Sequence, residues 1–274
     1  RGMDRIRQAM DSKSSSYADS VYVGYIETKT GSQNIVYLEN CPGMGALDSE
    51  LVNIFSMNVG IAFDNIYLNR EVEEDYRSLI FTLGDIIERR SQETGHHVQR
   101  VSEYARLLAL LSGRTEEESD LVAVASAVHD IGKVAIPDVI LNKPGPLDDK
   151  EYAIMKGHSA LGAGMLAFSR RDLFQAAATV ASQHHERWDG TGYPVGLAGD
   201  DIHPYARIAA IADVFDALTN DRVYRPAWTV DRAVAYFREH AGSQFDPALV
   251  DIFMSSLPDF LEIRGRLGGQ VALE

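Results

Sequence analysis

Short apolar runs and turn-forming residues alternate over the first seventy positions. Residues 21–27 and 34–38 are rich in Val, Ile and Tyr, and Thr30-Gly31-Ser32 lies between them. Two such runs around a glycine-containing turn are typical of a β-hairpin. A polar helix is expected within residues 1–20, and a second helix from Asp48 to about Asn69. Residues 1–70 are therefore predicted to form a small α/β portion.

From Glu71 onward, apolar residues recur three and four positions apart, which predicts helices with one apolar face. The stripe contains Tyr76, Leu79, Ile80, Leu83, Ile86 and Ile87, and after Gly95 it continues with Val98, Val101, Tyr104, Ala105, Leu108 and Leu111. Such a face either packs in the core or forms the seam of a homodimer through residues 71–111. The sequence leaves both interpretations open.

The rest of the chain is predicted to be mainly helical. Further helices fit residues 118–128, 149–167, 172–184, 204–218, 230–239 and 247–255. Gly132 is expected to end the first of them. Residues 187–203 contain four glycines and a proline, which predicts a long, functional loop. We therefore expect a helical domain over 93–274 and a connecting helix over 71–92.

Composition narrows the classes of function. The chain has 274 residues and a net charge of −14, which argues against a nucleic-acid polymer as partner. Cys41 is the only cysteine, so no intrachain disulfide can form, in keeping with a reducing cytoplasm. From the sequence, no apolar run of membrane-spanning length and no secretory signal is expected, so membrane insertion is not predicted.

Five of the eight histidines lie in contexts typical of metal ligands: His97, His129, His158, His184 and His185. Imidazole and carboxylate groups suit iron, manganese or zinc. The adjacent pair of His129 and Asp130 suits a centre in which a carboxylate bridges two ions while the imidazole binds one.

Acidic residues accompany these histidines. Glu93 precedes His97 by four positions, so on a helix the two side chains would share one face at about 5–6 Å. Asp213 lies on the 204–218 helix but off its apolar stripe. Asp216, nearby, either supports a ligand through a hydrogen bond or is a charge on the helix surface, and both interpretations stay open.

Together these motifs resemble the HD-GYP domain, a cyclic di-GMP phosphodiesterase branch of the HD superfamily. The matching strings are ETGHH (93–97), HDIGK (129–133), PDVILNKPGPL (137–147), His158, HHERWDGTGYPVGL (184–197), ARIAAIADVFDALT (206–219) and DRVYRPA (221–227). The resemblance covers about residues 75–260 and implies an HD-type helical bundle. Residues 1–70 instead resemble the end of a GAF-like sensory domain, which could be truncated, and we expect the chain to be a fragment of a longer protein.

The resemblance also implies roles for individual residues. The implied metal ligands are Glu93, His97, His129, Asp130, His158, His184, His185 and Asp213, with Asp130 as the bridging ligand. They would hold two or three divalent ions, with iron or manganese as the usual metals. Glu93 favours three ions; if it is only a helix-surface acid, the centre is binuclear.

Asp130 and Lys133 are the implied catalytic residues. Lys133, Tyr193, Arg222 and Arg225 are the candidate substrate contacts. Tyr193 could instead anchor its loop, and the two arginines could instead form a surface ion pair with Asp221.

The function implied is hydrolysis of cyclic di-GMP to pGpG, GMP or both by a metal-bridged hydroxide. One alternative is a hydrolase of another cyclic dinucleotide, such as cyclic GMP-AMP. Another is a non-catalytic cyclic-dinucleotide receptor. A signalling partner of the diguanylate cyclase type could bind the GYP loop, which is the part of the 187–203 loop around Gly192-Tyr193-Pro194.

Overall fold

The computed structural model describes residues 2–28, 31–91, 96–221 and 226–268. They divide into two compact units, Arg1–Tyr76 and Arg77–Glu274. The described residues are mainly helical and contain one three-stranded sheet, which confirms the predicted fold class.

The first unit begins with a helix and a small sheet. Its elements are α1 (Gly2–Ser12), β1 (Ser16–Ala18), β2 (Val21–Glu27) and β3 (Gln33–Leu38). The strands are antiparallel in the order β1-β2-β3, and Tyr22 pairs with Leu38. The predicted hairpin is thus present. Strand β1 was not predicted, because its three residues are all exposed and give no apolar signal.

Helix α2 runs without interruption from Ala46 to Arg90. The sequence interpretation ended one helix near Asn69 and began another at Glu71, although no proline or glycine lies there to break it. By length and composition alone, the segment Glu50–Arg90 could cross a membrane, and 17% of its most apolar window is buried in the protein. The sequence interpretation missed this segment, because polar residues are interspersed among its apolar ones.

The second unit is a helical bundle. It contains α3 (His97–Leu111), α4 (Glu116–Ser126), α5 (Asp138–Leu141), α6 (Asp149–Leu166), α7 (Asp172–Gln183), α8 (Pro204–Thr219), α9 (Val230–His240), α10 (Pro247–Ser255) and α11 (Leu257–Leu267). Capping boxes of Thr115 with Glu118 and of Asp148 with Glu151 fix the starts of α4 and α6. Helix α11 was not predicted.

Helix α3 lies in the core of this unit. Val101, Tyr104 and Leu108 are fully buried, and the Tyr104 ring packs edge-on against Phe215 of α8 at 5.1 Å. For the α3 part of the 71–111 stripe, the core alternative therefore holds, because that face is already occupied within the protomer.

Gly132 does not end a helix, contrary to the prediction. Helix α4 ends at Ser126, and Gly132 lies in a short 3-10 helix over Ile131–Ala135. A Cβ atom on Gly132 would lie 1.9 Å from the carbonyl oxygen of His158 and 2.6 Å from the backbone nitrogen of Gly162. Glycine is therefore required because α6 passes so close, and this contact brings residues 129–130 beside His158.

We predict that Gly132→Ala destabilises the second unit, because the added methyl group must push α6 away. The free energy of unfolding should fall by about 1–3 kcal/mol, measured by urea denaturation. Gly164→Ala is the matched control: it lies on α6 with open space around its Cβ position and should be neutral or stabilising. Equal stability of the two variants would contradict this account.

Candidate metal centre

Five elements of the second unit bring the predicted histidines together. His97 begins α3, the HD pair follows α4, His158 lies in α6, His184 ends α7, and Asp213 lies in α8. The His97, His129, His158 and His184 residues are at most 3% exposed. Residues separated by more than one hundred positions in sequence therefore form one buried cluster.

Each of these four histidines is oriented by a hydrogen bond at Nδ1. The partners are Asp216 Oδ2 for His97 (2.8 Å), the Ser126 carbonyl for His129 (2.8 Å), the Met155 carbonyl for His158 (2.7 Å) and the Val180 carbonyl for His184 (3.0 Å). A carbonyl oxygen can only accept, so three of the rings carry their proton on Nδ1. In the neutral ring, Nε2 then faces the cluster with a free lone pair, as a metal ligand requires.

Asp130 lies between two halves of the cluster. Its Oδ1 is 3.0 Å from His158 Nε2 and 3.6 Å from His184 Nε2, while its Oδ2 is 3.2 Å from His129 Nε2. With one oxygen facing each half, this carboxylate has the placement that a bridging ligand needs.

The donor atoms form two groups, each within 4.8 Å. The first contains Asp130, His158, His184 and His185; the second contains Glu88, His97 and His129. Asp213 lies at the edge of the second group, with Oδ1 3.9 Å from His97 Nε2 and 3.8 Å from His129 Nε2. Glu93 lies outside the described residues.

Glu88 was missed by the sequence interpretation. It is 6% exposed, and its Oε2 has no hydrogen-bond partner among the described residues. The available signal was its spacing, because Glu88 lies on the same buried face of α2 as Ile80 and Gly84. A carboxylate on a buried helix face is costly unless other groups compensate its charge.

Burial and charge act together on the protonation of the cluster. Burial alone lowers the pKa of His129, but Asp130, Asp213 and Glu88 outweigh it and raise that pKa to about 10. Burial and the neighbouring His184 hold the pKa of His185 well below its usual value. The carboxylates around His129 thus favour positive charge at this point of the cluster.

The donor set fits divalent metal ions. His129 Nε2 and Glu88 Oε2 are buried without hydrogen-bond partners among the described residues, although such groups are normally satisfied. A cation held by the second group of donors would satisfy both atoms and offset the carboxylates.

Asp216 supports the cluster from outside, which resolves the alternatives left by the sequence. It is 2% exposed, and it bonds His97 Nδ1 as well as Arg100 Nε at 2.6 Å and Arg100 Nη2 at 2.9 Å. It is therefore not a surface charge. Burial raises the pKa of Asp216, but the hydrogen bonds from His97 and Arg100 outweigh it and hold that pKa below its usual value. The carboxylate in turn orients the ring of His97.

The GYP loop is held against the cluster by a second carboxylate that sequence reasoning missed. Glu186 is 4% exposed and accepts backbone N–H bonds from residues 195, 196 and 197 at 2.8–3.1 Å. This places the Tyr193 ring 4.7 Å from the ring of His185. The sequence signal was only its position beside the two histidines.

Of the three basic residues predicted to contact substrate, the described residues include only Lys133. Lys133 Nζ lies 2.6 Å from Asp130 Oδ2 and 3.6 Å from Glu88 Oε1. Arg222 and Arg225 lie outside the described residues. Lys156, which was not predicted, holds its Nζ 5.8 Å from the centre of the Tyr193 ring.

Comparison with known proteins agrees with this geometry. The HD domain family model matches residues 82–249. The chain belongs to the HD domain family. A second model, described as a domain of unknown function (DUF3369), matches residues 1–72. The GAF-like interpretation of that portion stays a prediction.

Curated relatives extend the match. The chain is 40% identical to 3'3'-cGAMP-specific phosphodiesterase 2 of Vibrio cholerae over 96% of its own length and 50% of the relative. It is 43% identical to the cyclic di-GMP phosphodiesterase response regulator RpfG of Xanthomonas campestris over 72% of this chain and 52% of that protein. These relatives confirm the HD-GYP resemblance, although the chain spans only about half of their length.

A solved structure shares the fold. The cyclic GMP-AMP specific phosphodiesterase V-cGAP3 of V. cholerae superimposes with a TM-score of 0.50 at 19% identity, covering 70% of this chain and 53% of that one. At this identity the likeness supports the helical fold alone.

Asp216→Asn should weaken metal binding about 10–100-fold, because His97 loses the carboxylate that orients it. Titration of the metal-free protein with Mn(II) would measure this. Asp251→Asn, an exposed change on α10, is the matched control and should bind as the unchanged protein does.

Because Arg100 also loses its partner, the unfolding midpoint of the metal-free variant should be measured separately. Unchanged metal affinity in a folded Asp216→Asn protein would show that the hydrogen bond to His97 plays no part in metal binding.

Proposed function

We propose that this chain is a metal-dependent phosphodiesterase that hydrolyses a cyclic dinucleotide, with cyclic di-GMP as the first candidate and pGpG, GMP or both as products. The observation that carries the proposal is the buried cluster itself: the imidazoles of His129, His158 and His184, each with an oriented Nε2 atom, surround the carboxylate of Asp130. A purely structural core has no need of unpaired polar atoms.

We assign the ions to the two groups of donors. Asp130, His158, His184 and His185 would hold one, while His97 and His129 would hold another with Glu88, Asp213 or Glu93. This set leaves room for two or three ions, of which iron and manganese suit the nitrogen and oxygen donors. When bound, such ions polarise a phosphoryl oxygen and make water a stronger nucleophile near neutral pH.

Lys133 is the described cation best placed to meet a substrate phosphate. Its ammonium group lies beside Asp130, so a phosphodiester drawn to the cluster would come within its reach. Its fixed positive charge would offset the negative charge that grows on the phosphoryl oxygens as the P–O bond breaks.

Tyr193 is suited to donate a hydrogen bond to the substrate. Burial and the neighbouring Tyr152 raise the pKa of its phenol, so the hydroxyl group keeps its proton. Its ring contacts His185, and Glu186 fixes the loop that carries it. This arrangement supports a role at the substrate in addition to anchoring the loop.

Cyclic GMP-AMP is the second candidate substrate. The relative that aligns over 96% of this chain is a 3'3'-cGAMP-specific phosphodiesterase, whereas the relatives named for cyclic di-GMP align over 70–73%. Both substrates share a guanine base and 3′–5′ phosphodiesters. The cluster would act on the phosphodiester that both nucleotides contain, so its geometry does not distinguish between the two substrates.

The deciding experiment is anaerobic incubation with Fe(II) or Mn(II) and either cyclic di-GMP or 3'3'-cyclic GMP-AMP, followed by chromatography of the nucleotides. We expect linear products from at least one substrate. His129→Asn should abolish them, because this ring belongs to the ion-binding cluster and faces Asp130. His96→Asn is the control: the same change at an exposed histidine outside the cluster should leave turnover intact.

Intact nucleotides from a protein with full metal content would refute the phosphodiesterase. Binding of either nucleotide in that case would instead identify a receptor. Products from only one substrate would settle the choice between the two candidates.

Lys133→Ala should retain metal while kcat/KM falls, since the residue meets the phosphate and has no lone pair to offer an ion while protonated. We expect a loss of about 10–1000-fold, as for one donor to a developing oxyanion. Metal content by elemental analysis and initial rates would be measured together. Unchanged kinetics would remove Lys133 from the site, and lost metal would assign it to positioning Asp130.

A signalling partner of the diguanylate cyclase type remains a prediction. The exposed tip of the GYP loop, where Val195 is 74% exposed, is the part we propose for such a contact.

A further inference from the structure

An apolar stripe follows the first half of α2 on the face that the protomer leaves open. Its positions are spaced alternately three and four residues apart: Leu51, Ile54, Asn58, Ile61, Asn65, Leu68 and Val72. All seven are exposed, and the five apolar members are 40–58% exposed. We call this set the heptad stripe, since three-four spacing is the repeat of a coiled coil.

The opposite face of the helix is the one used within the first unit. Ser56 is 2% exposed, Asn53 accepts a hydrogen bond from the hydroxyl group of Tyr22, and a Cβ on Gly60 would lie 3.2 Å from Thr28 Cγ2. The sheet therefore occupies one side of α2 and leaves the stripe unpartnered among the described residues. The stripe is therefore exposed even though the helix is packed against the sheet on its other side.

We propose that a second copy of this chain docks on the heptad stripe, so that two α2 helices form a parallel two-stranded coiled coil. In that arrangement each position of the stripe faces its own counterpart. Asn58 would meet Asn58 and Asn65 would meet Asn65, and each pair could exchange amide hydrogen bonds. A different partner would need asparagine at two matching positions, whereas a second copy supplies them automatically.

Charge favours the parallel orientation. The flanking positions on one side of the stripe carry Glu50, Asp64 and Glu71, and those on the other side carry uncharged residues such as Phe55 and Asn69. A parallel pair places each acidic flank beside an uncharged one. An antiparallel pair would bring acidic flanks together and set each asparagine against Ile or Leu.

The available area suits a dimer. Phe55 and Met57 flank the stripe at 68% and 51% exposure, which extends the apolar surface. The five apolar stripe residues and these two would each remove roughly 80–100 Å² from water, or roughly 600–700 Å² per protomer. A standard stable interface buries about 800 Å² per partner, so the polar flanking residues need to bury only a small further area.

Asp75 marks the end of the stripe. It continues the same register after Val72 and is exposed, so two copies would bring two carboxylates together there. The spacing resumes at Leu79 and Ile86, which are 60% and 58% exposed.

A membrane is the competing occupant, because the segment Glu50–Arg90 has the length and mean hydropathy of a span. A span, however, should be apolar on all sides. Here Asp64, Arg70 and Glu71 lie on the helix, and one face packs on the sheet of its own unit. These observations favour the second copy.

The test is sedimentation velocity of the full chain over a wide range of concentration. We expect a dimer whose dissociation constant rises at least about tenfold in Ile61→Glu, because each dimer would bury two carboxylates without partners. Ile66→Glu is the matched control: it is an exposed isoleucine on the same helix, 53% against 47% exposed, but off the stripe. It should remain a dimer.

A cysteine variant tests the orientation and does not depend on folding of a charged variant. Leu68→Cys in a Cys41→Ser background should form a disulfide-linked dimer on mild oxidation, because a parallel coil sets residue 68 against itself. Ile66→Cys should stay monomeric on a denaturing gel.

Three outcomes would overturn the proposal: an unchanged chain that is monomeric throughout, equal loss of dimer in both glutamate variants, or equal cross-linking at both positions. Co-flotation of the unchanged chain with phosphatidylethanolamine–phosphatidylglycerol vesicles, lost in Ile61→Glu, would assign the stripe to a membrane instead. None of these readouts depends on phosphodiesterase activity.

Discussion

The second unit depends on the burial of one carboxylate, that of Asp130. Moving an ionised group out of water costs several kcal/mol unless compensating groups surround it. Here the compensation comes from Lys133 at 2.6 Å and from the imidazoles of His129 and His158 at 3.2 and 3.0 Å. Burial raises the pKa of Asp130, but Lys133 and His129 outweigh it and hold that pKa well below its usual value. The aspartate therefore stays ionised, and the surrounding fold has to keep those partners in place.

Main-chain atoms provide much of that rigidity. Three of the four buried imidazoles are anchored through main-chain carbonyl groups three or four residues earlier in the chain. The Ser126 and Val180 carbonyls also accept the backbone N–H groups of His129 and His184, so each holds the ring and the main chain of the same residue. The fourth ring, that of His97, lies at the start of a helix, and its Nδ1 bonds the carboxylate of Asp216, which is distant in sequence. Main-chain carbonyls and one carboxylate thus share the task of orienting the four rings.

The sequence predicted the local parts of this arrangement and missed the long-range ones. The hairpin, the bounds of α6 to α10 and the histidines of the cluster followed from periodicity, capping residues and motif strings. Glu88, Glu186 and the role of Asp216 did not, because each acts on residues that the fold brings near. Gly132 is another example. The sequence suggested that this glycine ends a helix, but glycine is required because a Cβ atom there would lie 1.9 Å from the backbone of α6. The sequence predicted two helices where α2 is continuous, because polar residues lie around Asn69, although no residue there breaks a helix.

The charge of the centre links its two proposed tasks, holding ions and binding an anion. The chain carries a net charge of −14, and Glu88, Asp130 and Asp213 place three carboxylates in the cluster, against one described lysine beside them. A cyclic dinucleotide carries two negative phosphodiesters, so the surface and the metal-free centre would both repel it. Divalent ions reverse the field where the phosphate must lie, since they are the largest local charges in such a site. Loading of the ions and binding of substrate should therefore be thermodynamically coupled, with each raising the affinity for the other.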